Sequence, residues 1–203
     1  MASPRKFQAV VIGASSGGLQ ALKLILGQLP VDYPLPILIA QHISSESGDG
    51  FARLLDELCA IRVKEADEEE QILPGTVYLA PPDYHLLVEK EGKLALSADP
   101  PVSYARPSID VLFESAAEIF GPELIGVILT GANFDGSHGL QTLKLKGGIA
   151  IVQDPAEAEA RPMPLAALAA TAVDYVLRLD QMARQLVQLA ESPATPPGNL
   201  SDV

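Results

Sequence analysis

The sequence predicts an α/β fold: a mainly parallel sheet layered with helices, interrupted by a short antiparallel hairpin insert at about residues 76–97. Short continuous apolar runs, among them Ala9-Val10-Val11-Ile12, Ile37-Leu38-Ile39-Ala40 and Ile149-Ala150-Ile151-Val152, have the length and β-branched content of strands buried on both faces. Between such runs lie segments whose apolar residues recur every three or four positions, the spacing of a helix that buries one face. At 203 residues and 48% hydrophobic, the chain can bury a full core as one unit.

The elements follow in order. After the first strand, Leu19, Leu22, Leu26 and Leu29 mark a helix that ends before Pro30. The second strand follows Pro36, and beyond the loop at 44–50 a second helix carries Phe51, Leu54, Leu55 and Leu58. The acidic run Glu65-Ala66-Asp67-Glu68-Glu69-Glu70 lacks the alternating ligands of a calcium loop and is expected as an exposed loop. Thr76-Val77-Tyr78-Leu79-Ala80, His85-Leu86-Leu87-Val88 and Leu94-Ala95-Leu96, separated by Pro81-Pro82-Asp83 and Lys90-Glu91-Gly92-Lys93, read as short antiparallel strands of the insert. Alternation then resumes: a helix from about Ser108 with Ile109, Leu112, Phe113 and Ala116; a strand at 124–129; a helix near 136–145; and the strand at 149–152. A short strand around Tyr175-Val176-Leu177 precedes a last helix bearing Met182, Leu186 and Leu189. Residues 1–190 are thus expected to form one domain, and the Pro/Ser/Gly/Asn tail at 191–203 a disordered end.

Composition excludes several classes. No stretch approaches the eighteen or so apolar residues of a membrane span, and polar Ser15, Ser16 and Gln20 interrupt the N-terminal apolar run too early for a signal peptide. A net charge of −12 argues against nucleic acid as a partner. The one cysteine, Cys59, excludes a disulfide scaffold and points to a reducing, cytoplasmic compartment.

Chemistry concentrates at strand ends. Gly13-Ala14-Ser15-Ser16-Gly17 spells G-x-S-x-G where the first strand runs into a helix, a turn that projects a serine oxygen and aims free backbone N–H groups at a bound group. The same glycines also suit a dinucleotide turn. That reading fails at the next strand, which ends in Gln41-His42 where a ribose-binding acid belongs, and Leu19 fills the place of the third glycine. A serine and a histidine at neighbouring strand ends supply a nucleophile and its general base. The strand at 124–129 leads into Thr130-Gly131-Ala132-Asn133-Phe134-Asp135-Gly136, which brings Asp135 to the same edge as an orienting acid; Asp154, after the next strand, is a rival. His85 reads as structural, His138 as solvated, and Arg106 and Arg161 as either salt-bridge partners or pocket cations.

An ordered set of segments then carries a resemblance: Gly13-Ala14-Ser15-Ser16-Gly17-Gly18, Gln41-His42, Leu79-Ala80-Pro81-Pro82-Asp83-Tyr84-His85, Arg106-Pro107-Ser108-Ile109-Asp110-Val111-Leu112-Phe113, Leu129-Thr130-Gly131 with Asp135-Gly136, and Met163-Pro164. Over roughly residues 7–190 the chain resembles the catalytic domain of the CheB-type chemotaxis protein-glutamate methylesterases. The resemblance implies a doubly wound sheet with helices on both faces and a triad on Ser15, His42 and Asp135. It implies, too, hydrolysis of glutamyl methyl esters on methyl-accepting chemotaxis receptors, with deamidation of receptor glutamines as a second reaction. In that mechanism His42 takes the Ser15 proton and later protonates methanol, the backbone N–H groups of Ser16 and Ala132 form the oxyanion hole, and no cofactor or metal takes part.

The chain departs from the family pattern in two places. The loop before the acid usually reads Gly-Met-Gly-x-Asp-Gly, against Gly131-Ala132-Asn133-Phe134-Asp135-Gly136 here, and the segment after His42 is longer and acidic. Many relatives carry an N-terminal receiver domain that covers the active-site face, whereas six residues precede the first strand here. The site is therefore expected to be open, or controlled by a partner in trans that recognises the acidic stretch from Glu46 to Asp49. The competing readings are a serine esterase acting on another ester, a non-catalytic signalling module, and a nucleotide-binding dehydrogenase domain.

Overall fold

The computed structural model describes residues 6–43 and 50–193; the acidic stretch from Glu46 to Asp49 and most of the expected disordered tail lie outside them. The elements run β1 (Ala9–Ala14), α1 (Gly18–Leu26), β2 (Ile37–Gln41), α2 (Gly50–Leu58), β3 (Arg62–Glu65), β4 (Thr76–Leu79), β5 (His85–Glu89) and β6 (Lys93–Ser97). They continue with α3 (Ile109–Phe120), β7 (Leu124–Ile128), α4 (Ser137–Leu145), β8 (Ile149–Gln153), α5 (Pro162–Ala170), β9 (Tyr175–Leu177) and α6 (Leu179–Glu191).

Seven strands form one parallel sheet in the order β3-β4-β2-β1-β7-β8-β9. From β1 the chain steps to β2 on one side and later returns to β7 on the other, so the strand order reverses about β1. Successive side chains of a strand point to opposite faces, and the central strands β1, β2, β7 and β8 are apolar at every position but the terminal Gln41 and Gln153, so both faces need cover. On one face Val10, Ile12, Ile37 and Ile39 pack with α1, α2 and α6; on the other Ala9, Val11, Leu38 and Ala40 pack with α3, α4, α5 and the β5–β6 hairpin. The expected doubly wound sheet with helices on both faces is the fold observed.

One expectation needs correction, and two segments show more than the sequence pattern did. Thr76–Leu79 is not part of the antiparallel insert: it is an interior parallel strand between β2 and β3, with Ile37 opposite Val77. All four of its residues are buried, which explains an unbroken apolar run that hairpin strands half open to water do not need. The insert is the two-stranded hairpin alone, pairing His85 with Ser97 through Glu89 with Lys93. Next, the acidic run is an exposed loop at Asp67, Glu68 and Glu69, as expected, but an anchored one. Glu65 closes β3, Ala66 is buried, Lys64 Nζ bonds Asp67 at 2.7 Å and Glu70 at 2.8 Å, and Glu68 accepts the Leu96 N–H at 2.7 Å, which ties the segment onto the hairpin. Finally, α5 carries no sequence periodicity because Pro162-Met163-Pro164-Leu165-Ala166-Ala167-Leu168-Ala169-Ala170 is apolar all round; the two prolines sit in its first turn, where no intrahelical N–H is lost.

Candidate active site

The carboxyl ends of β1, β2 and β7 meet where the strand order reverses, the place where open parallel sheets bind ligands. Backbone bonds continue past the strands and lock three loops together: Ser15 N–H to Thr130 O at 3.0 Å, and His42 N–H to Ala14 O at 3.0 Å. Ser15 is half-buried in the turn into α1. Gly17, at φ 79°, takes the left-handed conformation that this turn requires, and Gly18 N–H closes it on Ser15 O at 2.8 Å. Gly13 has a different reason: a Cβ there would stand 2.3 Å from Ile109 Cγ2, so the residue lets α3 begin directly against β1.

That close approach places the N-terminus of α3 under Asp135. The carboxylate is fully buried and accepts four hydrogen bonds. Oδ2 receives His42 Nε2 at 2.8 Å and the Ile109 N–H at 2.7 Å; Oδ1 receives Ser108 Oγ at 2.9 Å and the Asp110 N–H at 3.1 Å. Burial opposes ionisation, but the bonds from His42, Ile109 and Asp110 overcome it and hold the carboxyl below its ordinary value. The helix dipole acts in the same direction.

An ionised carboxylate only accepts, so Nε2 of His42 carries the proton and Nδ1 is the free lone pair. Nδ1 is therefore the ring nitrogen able to accept a proton. Its polar neighbour is the Asn133 side-chain amide, with Nδ2 at 3.4 Å, while Asn133 Oδ1 accepts the Asp135 N–H at 3.3 Å. Among the described residues no hydrogen bond joins Ser15 Oγ to His42; the structure unites His42 with Asp135 and leaves the Ser15 hydroxyl unengaged. Such bonds commonly tighten only when substrate binds. Ser16 and Ala132 are exposed, and among the described residues no acceptor takes either N–H.

The remaining sequence expectations resolve one by one. Asp154 follows β8, three places from β2 in the strand order, and its Oδ1 accepts the Ala156 N–H at 2.8 Å within its own turn. His85 is buried and structural; its Nδ1 accepts the Ser108 N–H at 3.1 Å and its Nε2 donates to Pro100 O at 3.2 Å, which steadies the serine that bonds Asp135. His138 is exposed and paired with Glu114 at 2.7 Å, and that carboxylate raises its pKa. Among the described residues Arg106 and Arg161 form no ion pair; Arg106 Nη1 donates to Ala98 O and Asp99 O at 2.8 and 3.1 Å.

Sequence reasoning missed a supporting set. The Gln41 amide donates to Ser15 O and His42 O, each at 2.9 Å. Thr130 Oγ1 donates to Ser16 O at 2.8 Å, and Gln153 Oε1 accepts the Thr130 N–H at 2.8 Å. Gln41 and Gln153 share a signal: each is the buried polar residue that ends an otherwise apolar strand.

A cavity of about 310 Å³ opens beside the base, lined by His42, Tyr104, Arg106, Asn133 and Phe134 among others. A larger one, about 410 Å³, lies near the amino ends of β1 and β2 around Gln8, Pro36 and Phe120 and holds none of these groups.

A histidine held by a buried acid beside a strand-end serine, all at the switch point of a doubly wound sheet, defines the class as a hydrolase of α/β architecture. A family model described as CheB methylesterase matches residues 10–186. A Leptospira interrogans (serogroup Icterohaemorrhagiae serovar copenhageni, strain Fiocruz L1-130) protein, provisionally named protein-glutamate methylesterase/protein-glutamine glutaminase, is 50% identical over 186 residues, covering 92% of this chain and 96% of its own. Protein-glutamate methylesterase FrzG of Myxococcus xanthus is 43% identical over 185 residues, covering 91% of this chain and 55% of its own. The crystal structure of the Thermotoga maritima CheB methylesterase catalytic domain matches with a TM-score of 0.86 at 35% identity, covering 90% of this chain and 98% of that one. The chain belongs to the CheB methylesterase family.

Proposed function

We propose that this protein hydrolyses glutamyl methyl esters on chemotaxis receptors, with deamidation of receptor glutamines as a second reaction, through Ser15, His42 and Asp135. The observation that carries the assignment is the 2.8 Å bond between His42 Nε2 and the buried Asp135 carboxylate, at the strand edge that presents Ser15. Ser15 Oγ attacks the ester carbonyl as His42 Nδ1 takes its proton; the tetrahedral oxyanion faces the Ser16 and Ala132 N–H groups, each donor worth ~3 kcal/mol in such sites. Methanol leaves with the proton from Nδ1. Water, deprotonated by the same nitrogen, then attacks the acyl-enzyme and releases glutamate and Ser15. In deamidation ammonia takes the place of methanol.

Exposed Tyr104 and Phe134 flank the cavity beside His42 and support a macromolecular partner at this face, the receptor itself or a regulator supplied in trans. Among the described residues no helix is long and apolar enough to cross a membrane, and we place the reaction in the cytoplasm. The test is methanol release from methylated receptors, with fluorophosphonate labelling in parallel. Release and labelling that both vanish in Ser15→Ala are expected; no release from methylated receptors by a well-folded protein would overturn the assignment.

A further inference from the structure

Behind the base and its acid stands a second carboxyl to which the proposed mechanism gives no task. Asp110, in the first turn of α3, is 7% exposed, and its Oδ1 accepts the N–H groups of Gly136 at 2.9 Å and Gly139 at 2.7 Å. Those donors belong to the N-terminal turn of α4. Asp135, in the loop that leads into α4, accepts the Ile109 and Asp110 N–H groups of the first turn of α3. Asp135 thus caps the helix that carries Asp110, and Asp110 caps the helix that follows Asp135. The helices are in contact here: a Cβ on Gly139 would lie 2.7 Å from Phe113 Cβ and 3.0 Å from the Asp110 backbone.

Two carboxyls in one buried cluster do not both ionise freely. Asp135 holds the charge, because it has His42 and three further donors. Asp110 has two backbone donors and, among the described residues, no ion-pair partner. Burial, reinforced by the Asp135 charge and opposed by the Gly139 bond, pushes its carboxyl up to about 6. The other titratable groups around it are Glu114 on α3 and His138 on α4, with His42 and His85 one contact further away through Asp135 and Ser108.

We propose that Asp110 is a positioning residue for the catalytic acid: the reciprocal caps fix the 131–136 loop against α3, and the proton on Asp110 sets how much negative charge stands behind His42. The proposal rests on the reading of His42 and Asp135 as base and acid.

Asp110→Asn keeps an acceptor for Gly136 and Gly139 and imitates the protonated side chain at every pH. The folded Asp110 carboxyl holds its proton to higher pH than the unfolded one, so ionisation costs wild-type stability progressively between about pH 4 and pH 6. The Tm of wild type relative to Asp110→Asn should therefore fall across that window. An ordinary ionised helix cap would give the opposite trend and overturn the proposal. In methanol release from methylated receptors, the pH profile of kcat/KM in Asp110→Asn should depart from that of wild type across the range in which Asp110 ionises, about pH 5 to 7, since the variant carries no titrating carboxyl there. Superimposable profiles would reduce Asp110 to a helix cap. Carboxyl-carbon NMR on the wild-type chain needs no variant: a buried aspartate titrating near pH 6 is expected, and none between pH 5 and 7 overturns the proposal. If instead Ser15→Ala remained active, the triad reading would fail while this titration still stood.

Discussion

The side-chain amide of Gln41 is bonded to the backbone carbonyl of Ser15 at 2.9 Å, and the same nitrogen holds the carbonyl of His42 at 2.9 Å. One buried amide thus fixes the spacing of Ser15 and His42, the proposed nucleophile and base. A Cβ on Gly18 would fall 1.9 Å from Gln41 Oε1, so the amide is wedged with little room to turn. Gln41→Ala should lower kcat about tenfold or more, because a net ~1 kcal/mol per hydrogen bond is lost at two points of one geometry. Gln41→Glu should be worse, since an ionised carboxylate cannot donate to either carbonyl. Steady-state kinetics beside a thermal melt checks this: wild-type kcat in both variants would remove the strut.

The nucleophile assignment predicts a split between adjacent serines. Ser15→Ala should cost several orders of magnitude in turnover with the fold intact, because the triad acts as a unit. Ser16→Ala should be mild, since the exposed Ser16 contributes its N–H and carbonyl, the latter already bound to Thr130 Oγ1 at 2.8 Å. A reversal of the two effects in a methanol-release assay would mean the wrong serine had been assigned.

Much of this site could be read from the chain, and the limits have physical causes. Ser15, His42 and Asp135 each follow an apolar run, so their arrival at one sheet edge is visible in a linear pattern. The ring nitrogen that faces the acid is not, because it depends on α3 bringing the Ile109 N–H to Asp135 from 26 positions away. Thr76–Leu79 was misread because the nearby Pro81-Pro82-Asp83 turn is local, whereas its true partner, β2, pairs across some forty residues. Helix α5 has no apolar period to betray it, and nothing in the linear pattern marks Gln41 as a strut, because both its acceptors are backbone carbonyls.

The acid assignment predicts a large effect for Asp135→Asn, on the order of ten-thousand-fold in turnover by analogy with other triads. Asp154→Asn should cost far less, because Asp154 serves only its own turn. Stability gives an independent readout. A carboxyl held below its ordinary value contributes stability that is complete above the unfolded pKa of about 4 and is lost as pH falls through the lower folded value. Wild type should therefore lose stability relative to Asp135→Asn on acidification below pH 4. Equal acid sensitivity of the two proteins would contradict the observed hydrogen bonding.

The Asn133 amide reaches the lone pair of the proposed base, with Nδ2 3.4 Å from His42 Nδ1. Ser15 Oγ and Asn133 Nδ2 then compete for one acceptor, and catalysis requires the serine to win. At 3.4 Å the bond is long and worth no more than ~1 kcal/mol, so the competition should slow attack by a few-fold, not abolish it. Asn133→Gly removes the competitor and should speed fluorophosphonate labelling of Ser15 by that factor. The same change also deletes the Asn133 Oδ1 bond to the Asp135 N–H at 3.3 Å, so a small drop in Tm should accompany the faster labelling. Slower labelling would reverse the conclusion: the amide would then be assisting the reaction centre as a donor to the developing oxyanion, and the residue would count among the catalytic groups.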